Sequence, residues 1–496
     1  MKKIDLQTYI QIGIFTIFFL LCLGFVFSKG ICCGDDAKHA EVAKNLSLGL
    51  GYASTTQEAL LSYSVKLFDP RIGVGPSIIL PAAVFIRVFG NTTWAPGFAF
   101  ILLTFVILLI IGYLIRYILG SSKIITLGIF LFFSLSYLLF TYHFEQWYAL
   151  LGEIPAALLI ILAVQLFVIF QNKFSHFFVG IIFSLACNAK LISFIGFFIF
   201  LLLLNLIFIF NDVKNKQSFG KQVQKLFWVM LGFITPFITF EIWKLFSLGS
   251  LDYFSYWANY KNYIFELGVK QSTAKETIII VKRFYLLFER FGIILPLLFP
   301  LLIIVGFLLK GEEKLYKIYI YLTAILCGFI IYWVFLSIGW ARYFVIPLIL
   351  IIFILVLPVF SSSKRSVLRI SYYLIMVCFL LNSFTHIEYP FENLHARLFS
   401  PSPNVLALRE VKQILSESND GKIVTQYWGT STDIEYILDT YQNFTTYRDP
   451  TFNPTSEFRV AFNQKFLVLP DDKFDQIMSH CNMTNIGEYI IGQCGP

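Results

Sequence analysis

The sequence predicts an all-α polytopic membrane protein with about 11 transmembrane helices and a small α/β domain at its C-terminus. Hydrophobic residues make up 57% of the 496 residues and charged residues 14%, whereas about a quarter of the residues in a soluble domain are charged. Apolar runs of about 20 residues, long enough to cross a bilayer, recur between residues 8 and 385. This pattern excludes a soluble protein. The net charge of +8 is spread over short loops, which indicates membrane orientation rather than nucleic-acid binding.

Each predicted span follows one apolar run. The first run comes after Lys2 and Lys3, is long for a cleaved signal peptide and is followed by no small-x-small cleavage site. We therefore expect it to be retained as the first span. The spans are expected near residues 8–29, 95–117, 123–142, 150–171, 177–191, 192–211, 226–248, 289–309, 315–338, 342–360 and 366–385.

Lysine and arginine residues recur in alternate loops, and with these spans every basic cluster falls on the side of the N-terminus. The positive-inside rule assigns that side to the cytoplasm, so the odd number of spans places the chain after residue 386 outside. The clusters are Arg116 with Lys123, Lys173, Lys214 with Lys216, Lys221 and Lys225, Lys310 with Lys314 and Lys317, and Lys364 with Arg365 and Arg369.

This topology requires residues 74–90 not to cross the membrane. The stretch is about 17 residues long, near the lower limit for a span, and it contains Pro76 and Pro81. We therefore expect a helix that lies at the outer interface. If the stretch crosses instead, the C-terminal tail lies in the cytoplasm, unless residues 177–211 form a single long helix.

Two domains are expected. Residues 1–385 form the transmembrane domain, with a first outer loop at 30–94 and a second outer region at 249–288. Residues 386–496 form an extracytoplasmic soluble domain, because they alternate helix-like and strand-like pieces in a way that is typical of a small α/β fold.

The first outer loop begins with an acidic segment, GDDAKHAEVAKNLSLGLGY, which starts at Gly34. Apolar residues recur at helical spacing after Asp35, so Asp35 and Asp36 are expected at or just before a helix N-terminus. Acidic residues are common helix N-caps and suit the positive end of the helix dipole. A purely structural role is therefore the alternative to a catalytic one.

This segment resembles the acidic first-loop motif of membrane glycosyltransferases of the GT-C fold. It is most similar to the family 39 group, which holds protein O-mannosyltransferases and lipid A aminoarabinose transferases. The family motif is roughly D-E-x-x-Y-A-E-x-A-x-x-L followed by Gly-Tyr. Asp35, Asp36 and Glu41 stand at its three acidic positions, whereas His39 replaces the usual Tyr. The following GPSIILPAAVFIRVFG resembles the stretch that leads into the family's second span.

Three later segments are similar to further motifs of this family, in the same order along the chain. LGEIP, which contains Glu153, looks like the family's second acidic site before a proline. NAK, which ends at Lys190, is similar to the Thr-Lys at the outer end of the fifth span. WARYFVIP, which contains Arg342 and Tyr343, looks like the family's Arg-Tyr-x-x-x-Pro segment.

The resemblance implies an inverting glycosyltransferase that moves a sugar from a polyprenyl-phosphate donor to an envelope glycan, lipid or protein acceptor. Such a donor carries a good leaving group, so the enzyme needs one carboxylate base and cations for the phosphate, rather than the two carboxylates of a glycosidase. We expect Asp35 to be the base. The expected phosphate-binding or supporting residues are Asp36, Glu153, Lys190, Arg342 and Tyr343, and further donor or acceptor contacts are expected from Lys38, Glu41, Lys66 and Arg71.

The expected partners are the polyprenyl-phosphate sugar, membrane lipid and the acceptor, in a bacterial inner or plasma membrane. No cofactor is firmly implied, although a divalent cation is compatible with the acidic residues. His39, and His143 near Glu145, lack the spacing of metal ligands, so we expect them to be ordinary interfacial residues. Cys481 and Cys494 are able to pair if the tail faces an oxidising compartment.

Simpler alternatives exist for the basic and acidic residues at the span ends. Lys190 and Arg342 have long side chains that often extend to lipid headgroups, although both lie on the outer side, against the positive-inside trend. Glu153 lies in an apolar run and either reaches interfacial water or needs a partner, for which we expect Lys190.

A secondary transporter or lipid-linked oligosaccharide flippase is the alternative for the whole chain. Such proteins usually place charges at mid-membrane and show inverted repeats with broken helices. In this sequence the charges lie at the outer ends of the spans, and the two halves show no detectable similarity. A polymerase or ligase of surface glycans would differ from the expected transferase mainly in its acceptor.

Overall fold

The computed structural model of the chain is largely helical, which confirms the predicted class. It describes residues 6–55, 65–70, 72–119, 147–215, 219–264, 281, 283, 285, 294–337, 341–360, 401–416, 422–425, 432–438, 444–446, 458–463, 479 and 481–494. The predicted spans at 123–142 and 366–385, the domain boundary at residue 385, and Arg71 lie outside the described residues.

The helices of the membrane part follow the apolar runs, because a helix satisfies its backbone polar groups internally where lipid offers no hydrogen bonds. Three of them are long and apolar enough to cross a bilayer by themselves, and a bent pair at the N-terminus would make a fourth span. The chain is a multi-pass membrane protein. Its described helices here are α1 (Leu6–Lys29), α2 (Gly34–Ser47), α3 (Pro76–Phe89), α4 (Ala95–Leu119), α5 (Glu153–Ile169), α6 (Lys173–Ala189), α7 (Phe194–Asn215), α8 (Phe219–Ile264), α9 (Ile294–Leu309), α10 (Glu313–Phe335) and α11 (Val345–Val356).

Helices α1 and α2 meet at an angle of 90°. Helix α1 is apolar along most of its length, whereas α2 carries six charged or histidine side chains within 14 residues, from Asp35 to Lys44. The chain therefore leaves the span at this corner, and α2 belongs to the first outer loop. A two-stranded antiparallel sheet of β1 (Ala53–Thr55) and β2 (Val65–Leu67) follows α2.

Helix α3 is short. Its 14 residues span about 21 Å, which is less than the roughly 30 Å thickness of the hydrocarbon core. Ile78, Ile79, Ala82 and Ile86 are buried along one face, and the helix packs against α2, α4 and α6. This length agrees with the expectation that residues 74–90 do not cross.

The chain reverses direction after α6. Lys190 is extended, with φ −150° and ψ 118°, and a short 3-10 turn at Leu191–Ser193 leads into α7. Phe183 of α6 lies against Phe200 of α7, with ring centroids 4.8 Å apart, whereas a continuous helix would separate these residues by about 25 Å. Residues 177–211 are therefore two helices and not one.

Glycines allow α6 and α8 to pack closely. A Cβ added at Gly180 of α6 would collide with the carbonyl oxygen of Val229, and one added at Gly232 of α8 would collide with the carbonyl oxygen of Phe177. Small residues at such an interface let the backbones of two membrane helices approach each other. The two helices are thus held in a single relative position.

Helix α8 continues beyond the predicted end of its span at residue 248. The sequence predicted an outer region at 249–288, but the helix resumes after a break at Gly249 and ends at Ile264. Gly249 has a φ of 75°, which glycine adopts without steric cost. The bend brings the rings of Tyr256 and Trp257 over the side chain of Lys244.

The described elements of the C-terminal tail are α12 (Pro403–Ser416), β3 (Lys422–Thr425), α13 (Thr432–Ile437), β4 (Phe444–Thr446), β5 (Phe458–Asn463), β6 (Cys481–Ile486) and β7 (Tyr489–Cys494). The strands form a mixed five-stranded sheet in the order β4-β3-β5-β7-β6. Strand β3 pairs in parallel with β4 and β5, and β5, β7 and β6 are antiparallel. A disulfide joins Cys481 to Cys494 across the last hairpin.

The tail packs directly on the first outer loop. Lys44 of α2 donates a hydrogen bond to the carbonyl of Leu438, and the hydroxyl of Tyr436 donates one of 2.8 Å to the carbonyl of Thr92. Helix α13 lies along α2. The tail and the first outer loop therefore lie on the same side of the membrane.

Gly232→Val is expected to lower the midpoint of thermal unfolding in detergent, because the added side chain forces α6 and α8 apart. Overpacking of this kind costs about 1–3 kcal/mol. Gly220→Val on the same helix is the matched control, since nothing lies within 4 Å of a Cβ added there. Equal midpoints for the two variants would show that the helices are not packed through these glycines.

Candidate active site

Asp35 lies at the corner between α1 and α2. It lies in the first turn of α2, where the positive end of the helix dipole favours a carboxylate. The guanidinium of Arg342, in the 3-10 turn Ala341–Phe344, donates a hydrogen bond to the Asp35 carboxylate. Half of the Asp35 side chain is nevertheless exposed, so the carboxylate is open to a ligand.

Glu153 and Lys190 form a buried ion pair. Glu153 begins α5 and Lys190 follows the last residue of α6, and its Nζ lies 2.7 Å from Glu153 Oε1. The same Nζ donates a hydrogen bond of 3.0 Å to the carbonyl of Leu151. Only 9% of the lysine side chain is exposed, and none of the glutamate side chain is. The ammonium group is therefore held in one position.

Tyr343 links the two ion pairs. Its ring centroid lies 5.7 Å from Lys190 Nζ and 5.4 Å from Arg342 Cζ, which is within the range of cation–π contacts. The fold thus brings together residues from four separate segments of the sequence. The residues of this cluster, which we call the acidic site, are Asp35, Glu153, Lys190, Arg342 and Tyr343.

Two glycines position the backbone of the acidic site. A Cβ added at Gly152 would collide with the carbonyl oxygen of Ala189, and one added at Gly75 would collide with that of Asn188. The amide of Gly75 donates a hydrogen bond of 2.7 Å to the Asn188 carbonyl. Gly152 also has a φ of 84°, a conformation that side chains disfavour. These contacts press the start of α5 against the end of α6 and place Glu153 opposite Lys190.

Asp36 ties the corner of the first loop to the segment before α5. One carboxylate oxygen accepts a hydrogen bond of 2.9 Å from the amide of Cys32, and the other accepts one of 2.8 Å from the amide of Leu150. The residue is only 3% exposed. Asp36 therefore positions its neighbour Asp35 through the backbone rather than facing a ligand.

His39 lies one helical turn after Asp35 and is 4% exposed. The sequence predicted an ordinary interfacial residue, and that prediction is wrong because the side chain is enclosed between α2 and the loop that contains Gly73. Burial lowers the pKa of His39 to about 3, since the charged form loses its hydration. Helix α2 lies outside the spans, so a neutral imidazole is expected here at physiological pH.

The remaining predicted contacts are dispersed. Lys38 Nζ lies 3.6 Å from Asp69 Oδ2, and this oxygen also accepts a hydrogen bond from Ser54. Lys66 is half-buried on β2. Glu41 is fully buried in α2, which does not suit a direct contact with donor or acceptor.

The electrostatics of Asp35 reflect two opposing effects. Burial raises the pKa of its carboxyl group, but the charge and hydrogen bond of Arg342 lower it more, with a smaller contribution from Lys190. The net pKa lies below the ordinary value for an aspartate. Asp35 is therefore ionised at neutral pH, as a general base must be.

No metal centre is formed among the residues that the structure describes, in which no three His, Cys, Asp or Glu side chains come together as ligands. His143 and Glu145 lie outside those residues. In the acidic site the carboxylates of Asp35 and Glu153 face Arg342 and Lys190. The compatibility of the site with a divalent cation stays a prediction.

Sequence reasoning missed a second polar cluster. Glu241 and Lys244 of α8 form an ion pair of 2.8 Å beside a cavity that adjoins the acidic site. Their signal is present in the run FITFEIWKLF, where an acid and a base three residues apart interrupt an apolar segment. Ionisable residues in such a segment are functional candidates by default.

Lys190→Met is expected to reduce the free energy of unfolding by about 3–5 kcal/mol, because the buried carboxylate of Glu153 loses its partner. The measurement is the midpoint of thermal unfolding in detergent. Lys317→Met is the matched control, since Lys317 pairs with Glu313 at the surface and exposed pairs contribute little.

A double variant separates charge from packing. Glu153→Leu combined with Lys190→Met removes both charges and is expected to recover most of the lost stability. If the double variant is as unstable as Lys190→Met, the isolated carboxylate is not the cause.

Comparisons with solved structures show which fold the chain has. It is similar to ArnT from Cupriavidus metallidurans bound to undecaprenyl phosphate, with a TM-score of 0.60 and 10% identity over 99% of each chain. It is also similar to ArnT from the same organism in the apo state, with a TM-score of 0.57 and 9% identity over 98% of this chain and 99% of that one. No protein-family model and no curated protein sequence matches the chain. The chain therefore has the GT-C fold that its sequence predicts.

Proposed function

We propose that this protein is an inverting glycosyltransferase that moves a sugar from a polyprenyl-phosphate donor to an acceptor hydroxyl at the outer face of the membrane. The half-exposed carboxylate of Asp35, beside Arg342 and close to Lys190, carries this proposal. One base and nearby cations are the groups that such a reaction requires. The fold supports it, because one structure with this fold is ArnT bound to undecaprenyl phosphate.

In the proposed reaction, Asp35 accepts the proton of the acceptor hydroxyl while the hydroxyl oxygen attacks the anomeric carbon of the donor sugar. The bond between that carbon and the phosphate oxygen breaks, and its electron pair leaves with the polyprenyl phosphate. A single displacement inverts the anomeric configuration. Because the phosphate leaves as an anion, no second carboxylate is needed to protonate it.

Arg342 has two partners in this mechanism. In the absence of donor it pairs with Asp35, and when donor binds its guanidinium turns to the phosphate, for which its planar donor groups are well suited. This exchange frees the Asp35 carboxylate for the acceptor. Lys190, held by Glu153 and the Leu151 carbonyl, provides a fixed positive charge near the leaving phosphate.

The proposed orientation follows the distribution of basic residues. The N-terminus lies in the cytoplasm, and the acidic site and the tail lie on the outer side of a bacterial plasma or inner membrane. The acceptor is an envelope glycan, lipid or protein that reaches the site from outside. The long prenyl chain of the donor explains why the acidic site lies at the ends of the helices, where lipid and water meet.

Asp35→Asn is expected to reduce sugar transfer by about 10²- to 10⁴-fold, because an amide cannot accept the proton of the acceptor. The full chain is reconstituted in liposomes with radiolabelled polyprenyl-phosphate glucose, mannose, galactose or arabinose and crude envelope acceptor, and label in the acceptor is counted. Glu313→Gln, which changes an exposed carboxylate far from the acidic site in sequence, is the control and should retain wild-type transfer.

Two outcomes contradict the proposal in different ways. Full activity of Asp35→Asn would show that another group is the base. If the folded wild-type protein transfers no sugar from any donor, the secondary transporter or flippase becomes the favoured function. Counterflow of labelled substrate in proteoliposomes tests that alternative directly.

The acidic limb of the pH profile of kcat/KM is expected to report the protonation of Asp35. A base acts only when deprotonated, so activity falls as the pH drops through its pKa. Arg342 lowers that pKa, so Arg342→Gln should move the limb to higher pH, in addition to reducing the rate. Lys317→Gln is the control and should leave the limb in place. An unmoved limb in Arg342→Gln would mean that Asp35 is not the titrating group.

A further inference from the structure

A cavity lies beside the acidic site, between α8 and the first outer loop. The empty space within it and at its mouth, open solvent included, is about 680 Å³. Its wall is mainly aromatic, and only a few polar groups face it. The side chains that define what we call the aromatic cavity are Tyr52, Phe68, Phe240, Glu241, Tyr256 and Trp257.

The ion pair of Glu241 and Lys244 lies inside a cage of rings. Lys244 Nζ lies 2.8 Å from Glu241 Oε1, and it lies 4.8, 4.2 and 5.1 Å from the ring centroids of Phe240, Tyr256 and Trp257. The lysine side chain is only 3% exposed. The cage therefore holds a charged pair at a fixed place in an otherwise apolar wall.

The second oxygen of Glu241 is oriented by two further donors. It accepts a hydrogen bond of 3.0 Å from the hydroxyl of Tyr253 and one of 3.2 Å from the indole N–H of Trp257. A carboxylate has about four lone-pair sites. After these two contacts and the Lys244 pair, about one lone-pair site remains for a hydroxyl group of a ligand, and 13% of the Glu241 side chain is still exposed.

The aromatic cavity and the acidic site share a wall. Asn188 and Gly75 line the cavity, and Asn188 lies two residues before Lys190 of the acidic site. Gly73 also lines the cavity, and its Cβ position lies 3.6 Å from Nε2 of His39, which follows Asp35 by one helical turn. The cavity and the acidic site are therefore adjacent along the backbone of residues 188–190.

We propose that the aromatic cavity binds the ring of a glycosyl group. This inference rests on the proposed glycosyl transfer and assigns the site that recognises the carbohydrate. The apolar face of a sugar ring carries C–H groups with partial positive charge, which suit the negative face of an aromatic ring. A sugar hydroxyl on the ring edge donates to Glu241, as hydrogen bonds to a carboxylate are strong.

The charges of the aromatic cavity favour a sugar over the other parts of a lipid-linked donor. A phosphate would face the carboxylates of Glu241 and Asp69, while Lys244 is already paired. A prenyl chain would desolvate the Glu241–Lys244 pair without replacing its hydrogen bonds, which is costly. A sugar avoids both costs, because it carries no negative charge and its hydroxyl groups form hydrogen bonds. Phosphate is better accommodated by Arg342 and Lys190 in the acidic site.

Two glycosyl groups meet in the reaction, the one on the donor and the one on a glycan acceptor, and their chemistry is the same. Measurements of lipid affinity and of the KM for the acceptor distinguish the donor sugar from the acceptor sugar. A site for the donor sugar controls the affinity for the sugar-bearing lipid, whereas a site for an acceptor sugar controls the KM for the acceptor. Neither controls the affinity for sugar-free polyprenyl phosphate.

The experiment measures binding of radiolabelled polyprenyl phosphate, and of its glucose, mannose, galactose and arabinose derivatives, to the full chain in detergent. The variants are Glu241→Gln and Trp257→Leu, with Trp257→Phe as the conservative change and Glu313→Gln as the matched control. Trp257→Leu keeps the Glu241–Lys244 pair, so this variant still tests the proposal if Glu241→Gln fails to fold. Similar midpoints of thermal unfolding show that the variants compared are folded.

The wild-type protein is expected to bind at least one sugar-bearing lipid more tightly than polyprenyl phosphate. Glu241→Gln and Trp257→Leu should reduce this preference by about tenfold or more, because a site built to hydrogen-bond a substrate discriminates strongly. Trp257→Phe should retain most of it, and the affinity for polyprenyl phosphate should stay constant. If lipid binding is unchanged but the KM for the glycan acceptor rises by a similar factor, the cavity binds the acceptor sugar.

Other results overturn the inference. The cavity does not bind a sugar if the folded variants keep both the wild-type lipid preference and the acceptor KM, or if they weaken all lipids equally without changing the acceptor KM. The inference is also refuted if the wild-type protein binds sugar-bearing lipids no more tightly than polyprenyl phosphate and the variants leave the acceptor KM unchanged. Transfer by the wild type that the variants do not alter refutes the sugar site but not the transferase. The expected binding pattern without any transfer refutes the transferase but not the sugar site.

Discussion

The close backbone contact at the end of α6 determines where Glu153 and Lys190 of the acidic site lie. Gly152 and Gly75 lie against the carbonyl groups of Ala189 and Asn188, where a Cβ would not fit. Because no side chain separates these segments, α5 begins directly beside the residue that follows α6. Lys190 consequently lies 2.7 Å from its carboxylate partner, and the same backbone forms a wall of the aromatic cavity.

The two sites divided by this wall differ in the charge that they present. The acidic site has two cations and a half-exposed carboxylate, which suits a phosphate and a proton transfer. The aromatic cavity has a neutralised ion pair within a cage of rings, which suits a polar but uncharged ring. A lipid-linked sugar combines these two chemistries in one molecule, with its phosphate and its sugar joined by the bond that would break. The two sites therefore suit the phosphate and the sugar of the proposed substrate.

Much of the architecture could be predicted from local sequence. Apolar runs indicated the helices, because lipid leaves the backbone no other hydrogen-bonding partners, and the acidic segment indicated a helix that starts at Asp35. The ordered motifs indicated which charged residues belong to one site. The prediction for 249–288 was incomplete because a single glycine in the left-handed region lets α8 bend and continue. His39 was misjudged because neighbours from other segments bury it.

The sequence by itself determined the membrane class, the helical segments and the identity of the charged residues at the ends of the helices, since these depend on composition and on neighbours along the chain. The pairing of Glu153 with Lys190 was expected from the sequence, whereas only the tertiary structure showed the other partners. Arg342 and Asp35 are 307 residues apart and Lys44 and Leu438 are 394 apart, so no local pattern relates them. The cage around Lys244 likewise exists only because α8 bends back on itself. Contacts of this kind follow from packing, which brings distant segments together after each has formed its helix.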